Sequence, residues 1–300
     1  MAAGESIRQK KIEFLLTCLA ESETTANAVE SERIIREHLL ALLPFGRHPA
    51  FYMESIPDAA IRLRLREHHI DSLNEWKLRH DWNALIHRSN EDRDVDLESG
   101  AFLIARLGPR VDIDFCAFTE ALDAMAAWLR SRLQAIPEDA HSDRLDAFRR
   151  FFYEEEGFNG NTTNYYDPAN SYLTAVLETR KGIPVSLSVL ALLLARRVDF
   201  PLSGVNLPGH FIIKYRAPGL QIYLDPFNEG SYLTEEDCLN FLTRQGLEAS
   251  ALYLSRCSSV SILKRMYRNL INYHSGAGDT AREKLLREHL ALLEGCSIRS

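Results

Sequence analysis

Apolar residues recur at helical spacing along most of the chain. Towards the N-terminus they form stripes with polar flanks at 7–20, 31–43, 57–67 and 71–86, and each stripe predicts an amphipathic helix. Further along, the stripes predict helices at 97–107, 114–133 and 143–153. The run 186–197 is apolar nearly all round and follows Ile183-Pro184, where proline suits a first helical turn. This run therefore predicts a helix buried at the centre of the domain.

Two short segments have the composition of β-strands. Residues 211–215 and 220–224 are rich in β-branched and aromatic residues, and Ala217-Pro218-Gly219 lies between them. The segment predicts a β-hairpin. With the turn centred near Ala217-Pro218, paired positions have numbers that sum to 435, which sets Ile213 opposite Ile222.

The remaining signals concern helix ends and the tail. Asn170 and Gly182 are a natural cap and terminator for a short helix, and Thr234 with Asp237 resembles a capping box. The tail predicts two helices joined by residues 275–279, with the length of one tetratricopeptide unit but not its residue pattern. The chain therefore predicts an α+β, predominantly helical fold, in which helices surround a small antiparallel sheet.

We divide the chain into three predicted parts. Residues 1–94 form a helical N-terminal extension, 95–255 a core, and 256–300 a C-terminal helical hairpin. The most linker-like segment, 88–95, lies at the first boundary.

Composition excludes several classes of protein. The chain of 300 residues is 46% hydrophobic and 26% charged, as in globular proteins. Its 35 basic and 42 acidic residues give a net charge of −7, which argues against a nucleic-acid or anionic-membrane binder. No stretch reaches the roughly 20 apolar residues of a membrane helix. Glu13 and Cys18 interrupt any signal-peptide core, so a cytoplasmic protein is expected.

The five cysteines are scattered and odd in number. They are Cys18, Cys116, Cys238, Cys257 and Cys296, with no Cys-x-x-Cys pair. A disulfide framework or a zinc cage is therefore not expected. We expect the cysteines to be small buried hydrophobic residues or free thiols.

Candidate chemistry centres on the predicted hairpin. The register sets His210 opposite Asp225, and residues opposed on antiparallel strands share a face with Cβ atoms about 5 Å apart. The carboxylate could then orient the imidazole, as in a nucleophile–His–Asp constellation. Alternatively, His210 and Asp225 merely begin a strand and a turn. A register error of one residue would separate them.

A nucleophile would complete this set at the start of the buried helix, where unpaired N–H groups stabilise an anion. No cysteine is present there, and Ser186 is the candidate. Its alternative role is that of a first-turn serine bonded to the backbone. A serine needs His210 as a base within direct reach, because it has no appreciable anion population at neutral pH.

The motifs then become recognisable as a set. Residues 164–173, 176–190, 204–211 and 224–227, in this order, resemble the signature of the SirB family, which is also found in an F-box protein. The resemblance covers roughly 95–275 and implies a transglutaminase-like, papain-related core. In that superfamily a Cys starts a central helix, and a His and an Asp follow on adjacent strands. His210 and Asp225 match the latter two, whereas the Cys position falls within 184–186 and holds no Cys.

Two functional hypotheses follow. The first is a non-catalytic or regulatory module that binds a protein or peptide partner in the cleft of the former active site. The alternative is a hydrolase or acyltransferase that acts on amide or ester bonds, with Ser186 as nucleophile, His210 as base and Asp225 as orienter. A purely structural His–Asp pair, or a site that needs a supplied nucleophile or metal, also stays open. We expect no cofactor, and two ligands are too few for a metal site. The oligomeric state is not readable from the sequence.

Overall fold

A computed structural model describes residues 78–79, 81–88, 94–108 and 115–297, with side chains as far as residue 294. Contacts divide the chain into two units, Met1–Asp81 and Trp82–Ser300. The second unit holds the elements below. The helices predicted at 7–20, 31–43 and 57–67, and half of the one at 71–86, lie outside the described residues, and the described half of the latter is helical.

The first helices of this unit follow the predicted stripes closely. Asp96 caps α1, its side chain accepting a hydrogen bond of 2.9 Å from the Ser99 N–H. The predicted helix at 143–153 changes its winding at Arg150 and continues as a π-helical turn. The elements are α1 (Leu97–Ala105), α2 (Phe115–Gln134), α3 (His141–Arg149) and the π-turn (Arg150–Glu155).

The central helix is the one that the sequence predicts. Helix α5 (Pro184–Arg197) starts at the proline and is buried on nearly every side, in contact with α1, α2, α4 (Leu173–Thr179) and the sheet. Near its far end, Arg197 joins Glu98 at 2.5 Å and Asp123 at 2.6 Å, and so links α5 to α1 and α2.

The helix cap predicted at Asn170 is wrong. Asp167 caps a 3₁₀ turn (Pro168–Ser171), and α4 begins after Tyr172 instead. The Asn170 amide is turned inward, where it binds neighbouring backbone. A short parallel pair, β1 (Asn159–Gly160) and β2 (Lys181–Gly182), joins the ends of this region.

An antiparallel sheet of four strands packs against α5. Its order is β3-β4-β5-β6, which follows the chain, so each strand pairs with its sequence neighbour. The strands are β3 (Leu202–Val205), β4 (Ile212–Ala217), β5 (Leu220–Asp225) and β6 (Ser231–Leu233).

The predicted hairpin register is wrong by two residues. Ala217 pairs with Leu220 and Ile213 with Leu224, because the turn contains only Pro218 and Gly219. Gly219 has φ +72°, and proline followed by a left-handed glycine is typical of a type II turn. A shift of two residues keeps every side chain on its face, since side chains alternate along a strand.

The C-terminal part forms the predicted helical pair. The capping box at Thr234 is confirmed at the start of α6 (Glu235–Arg244). Helices α7 (Ser259–Gly276) and α8 (Thr280–Ser297) pack together, and α7 also contacts α1, α5 and the 3₁₀ turn. The α+β, predominantly helical fold is thus confirmed.

Candidate functional site

His210 and Asp225 meet at one end of the sheet. Asp225 is the last residue of β5, and His210 lies in the loop between β3 and β4, where its N–H binds the Leu207 carbonyl at 3.1 Å. The His210 Nε2 lies 3.1 Å from Asp225 Oδ2. The two side chains are 19% and 11% exposed, so the pair is covered but reachable. The two residues are diagonal rather than directly opposed, as the corrected register requires.

The Asp225 carboxylate is held from two further sides. The Phe227 N–H donates to Oδ1 at 3.0 Å, and the Asn228 amide donates to Oδ2 at 2.7 Å. Burial by itself would raise the pKa of Asp225, but the hydrogen bonds from His210, Asn228 and Phe227 outweigh it and lower the pKa below its usual value. The group is therefore an acceptor that fixes the imidazole.

This contact leaves one imidazole nitrogen for other chemistry. Because Nε2 faces the carboxylate, Nδ1 is the nitrogen that could take a proton or bind a ligand. Within the described chain, no hydrogen bond reaches His210 Nδ1, and the ring lies 5.8 Å from the Phe241 ring. The pair can act as an oriented base or as a polar anchor.

Ser186 is bonded to the backbone. Its side chain is fully buried, and Oγ lies 2.6 Å from the Asn170 carbonyl and 3.1 Å from both the N and O atoms of Ile183. The hydroxyl donates to a carbonyl and accepts from the Ile183 N–H. Of its hydrogen bonds to described residues, none reaches His210. The structure thus joins His210 to Asp225 and gives Ser186 the contacts of a first-turn serine, while its role as nucleophile stays a prediction.

The described thiols offer no activated replacement. Cys238 is buried in an apolar cluster, and burial raises its pKa to about 11. Burial also raises the pKa of Cys257 to about 11, and its Sγ lies 3.1 Å from the Gly204 carbonyl. Cys116 is exposed on α2. Among the described residues, no cluster of three or more His, Cys, Asp or Glu side chains could hold a metal ion.

The loop 158–167 covers the turn after Asp225. The Tyr165 ring packs edge-on against Phe227 at 5.5 Å, and Gly160 lies so close to Phe227 that a Cβ there would be 2.5 Å from its carbonyl oxygen. The buried Asn170 amide holds this loop by donating to the carbonyls of Asn164 at 2.7 Å and Tyr165 at 3.1 Å.

Sequence reasoning missed Arg265, which lies near this loop. Arg265 of α7 lies 3.4 Å from Asn206 Oδ1, and Asn206 is the first residue of the loop that carries His210. Burial raises the pKa of Tyr165, and the positive charge of Arg265 partly offsets this rise. Arg265 belongs to an amphipathic helix in the tail, so no local spacing signalled that it lies beside the sheet.

A separate cavity of about 750 Å³ lies along the outer edge of β3. Asp96, Arg196, Gly204 and Cys257 are among its lining residues. It contains none of His210, Asp225 and Ser186, so it is not the site that the sequence predicts.

Over the described residues, no helix combines the length and apolar character that crossing a bilayer requires.

The chain is similar in sequence to known proteins. The profile of the Transglutaminase-like superfamily matches residues 117–268, which include the central helix, the sheet and α6. A UPF0162 protein of Xylella fastidiosa is 35% identical over 208 residues, which cover 67% of this chain and 71% of that protein. A UPF0162 protein of Pseudomonas aeruginosa is 42% identical over 128 residues, covering 42% of this chain and 46% of that protein.

Human F-box only protein 21 is 36% identical over 162 residues, which cover 51% of this chain but 25% of that protein. No solved structure matches. The matched segment holds Ser186, His210 and Asp225 and more than half of the described elements, and the bacterial likeness extends well beyond it. The chain belongs to the transglutaminase-like superfamily.

Proposed function

We propose that this protein is a non-catalytic transglutaminase-like module that binds a segment of another protein, or a peptide, beside the His210–Asp225 pair. We also propose that it is a member of the SirB family, for which the ordered motifs at 164–173, 176–190 and 204–211 give the support. The binding surface, called the dyad face below, consists of Tyr165, Tyr166, His210, Asp225 and Phe227.

One observation carries the proposal. At the first turn of α5, where the superfamily has its thiol, the Ser186 hydroxyl is buried and bonded to the Asn170 carbonyl at 2.6 Å. A nucleophile must reach both a base and a substrate, and this hydroxyl is committed to the backbone. The oriented imidazole then serves as a polar anchor instead of a base.

The aromatic residues of the dyad face favour a peptide as the ligand. Tyr165 and Tyr166 are 42% and 79% exposed, and their rings contact each other edge-to-face at 5.3 Å. Tyrosine gives a large contact area with one polar end and is enriched at protein interfaces. An exposed tyrosine pair beside a buried polar pair suits an extended segment that has both apolar and hydrogen-bonding groups.

Selection of peptides tests the proposal. The full chain is used to select from a displayed library of random 12-residue peptides, and the enriched peptide is titrated by fluorescence polarisation. We expect binding at one peptide per chain and a loss of about tenfold in affinity for Tyr165→Ala, as for an interface anchor. The matched control is Trp128→Ala, which removes a 63% exposed aromatic of α2 and should leave the affinity unchanged.

Two outcomes would overturn the proposal. One is a library from which nothing is enriched, or enriched peptides whose affinity Tyr165→Ala does not change. The other is turnover: labelling of the wild-type chain by a fluorophosphonate probe that Ser186→Ala abolishes, which would support the hydrolase alternative. Circular dichroism at 10 °C checks that each variant is folded.

A further inference from the structure

Arg265 is a half-buried cation without a carboxylate partner among the described residues. It lies on α7, and its one hydrogen bond to them is to Asn206 Oδ1, at 3.4 Å. Burial lowers the pKa of this guanidinium, because the group loses hydration, and the like charge of Arg268 lowers it further. A charge that is partly removed from water is normally paired.

Two other covered arginines of the unit, Arg197 and Arg180, have carboxylate partners. Arg197 contacts Glu98 and Asp123, and Arg180 lies 2.9 Å from Glu156. One turn along α7, Arg268 lies 3.6 Å from Glu294. Among the residues that the structure describes, Arg268 therefore has a carboxylate beside it, and Arg265 has none.

The unused donors of Arg265 are accessible. A guanidinium has five N–H donors in a planar arrangement, and one nitrogen of Arg265 donates to Asn206 Oδ1. Some described side chains have a buried nitrogen or oxygen without a hydrogen bond, but Arg265 is not one of them. Its free N–H groups therefore reach the surface, where a ligand can meet them.

Arg265 also borders the dyad face. Helix α7, which carries it, contacts the 3₁₀ turn that follows the loop of Tyr165, and the Tyr165 ring packs against Phe227. Burial raises the pKa of Tyr165, and the charge of Arg265 partly offsets that rise. Asn206, its partner, begins the loop that ends at His210. A peptide on the dyad face would pass beside this guanidinium.

We propose that Arg265, positioned by Asn206, binds the carboxylate of an acidic side chain in a peptide that lies on the dyad face. This inference rests on the proposed function and adds the chemical class of its ligand. A flat guanidinium fork matches a carboxylate with two parallel hydrogen bonds. Arg265 provides one unbalanced positive charge, which suits a singly charged carboxylate better than a phosphate with almost two charges.

Matched peptide pairs test this inference. An array carries random hexapeptides with acetyl and amide ends, each present twice, with Glu or Gln at the third position. We expect the wild-type chain to prefer the Glu member by about tenfold or more, as for a charged hydrogen bond. Arg265→Gln should abolish this preference, because binding of the Glu members falls to the level of the Gln members. Arg268→Gln, on the same helix, is the control and should retain it.

The outcomes separate the two proposals. Failure of every hexapeptide to bind would overturn the peptide-binding function and this inference with it. Equal binding of Glu and Gln members by the wild-type chain would overturn the carboxylate inference alone. A third set, with a free C-terminus and Gln at the third position, would overturn the choice of an acidic side chain if it were preferred over the Glu set. Competition by inorganic phosphate at lower concentration than acetate would overturn the choice of a carboxylate.

Discussion

Replacing Ser186 with alanine should destabilise the fold strongly for so small a change. The variant removes an oxygen that joins two buried backbone groups, the Asn170 carbonyl at 2.6 Å and the Ile183 N–H at 3.1 Å. Asn170 and Ile183 are 3% and 5% exposed, so water cannot readily replace the lost partner. Each orphaned buried group costs about 1–2 kcal/mol, which gives about 2–4 kcal/mol in the free energy of unfolding.

Ser188 provides the matched control in the same helix. It is also fully buried, and its hydroxyl donates to the Pro184 carbonyl at 2.8 Å. That carbonyl already accepts the backbone hydrogen bond of the helix, so Ser188→Ala leaves nothing unpaired and should cost less than about 1 kcal/mol. Urea unfolding followed by circular dichroism measures both variants. If Ser186→Ala is within about 0.5 kcal/mol of Ser188→Ala, the backbone role assigned to Ser186 is refuted.

Three more predictions concern the carboxylate, the loop and the clamp on the central helix. Because the folded-state pKa of Asp225 is lowered, its contribution to stability is complete above about pH 5 and is lost as the pH falls below about 4. Asp225→Asn should therefore reduce the fall in unfolding free energy between pH 6 and pH 3, measured by urea unfolding. Gly160→Ala should cost about 1–3 kcal/mol in the same assay, because its methyl group would lie 2.5 Å from the Phe227 oxygen. Arg197→Met should cost about 3–5 kcal/mol by leaving Glu98 buried without its partner, and Glu98→Gln in the same chain should restore part of this.

Each of these predictions has an experimental outcome that would contradict it. If the unfolding free energy of Asp225→Asn falls between pH 6 and pH 3 as much as that of the wild type, protonation of the Asp225 carboxylate is not linked to unfolding. Gly276, at the end of α7, has open space around its Cα, so Gly276→Ala is the control for Gly160→Ala and should be neutral or slightly stabilising. Equal effects of the two alanines would contradict the close approach. Additive effects of the Arg197 and Glu98 variants would contradict their coupling.

The sequence predicted the central helix and the His–Asp pair for physical reasons that are local. A run apolar on all sides can only be buried, and Pro184 marks its start. The predicted contact between His210 and Asp225 was correct although the register was wrong, because the error was two residues and side chains on a strand alternate with a period of two. The turn itself was readable, since proline followed by glycine favours a two-residue type II turn.

The contacts that the sequence left hidden are long-range. Nothing in the spacing of Arg265 brings it to Asn206, 59 positions earlier in the chain. Asn170 has the residue type of a helix cap, but the tertiary structure uses its amide to hold loop carbonyls. A polar side chain with several backbone partners within reach binds the ones that folding brings closest, and local propensity does not determine which they are.

The bond from Ser186 to the Asn170 carbonyl has a consequence for motion. It ties the loop that carries Tyr165 to the most deeply buried helix of the unit. An amide in such a place exchanges its hydrogen only when the surrounding unit opens. In deuterated water the Ile183 amide should therefore keep its proton about as long as the core of α5 does. For the proposed peptide binding, a loop anchored in this way would lose little conformational freedom when the peptide binds, so ordering it would cost little free energy.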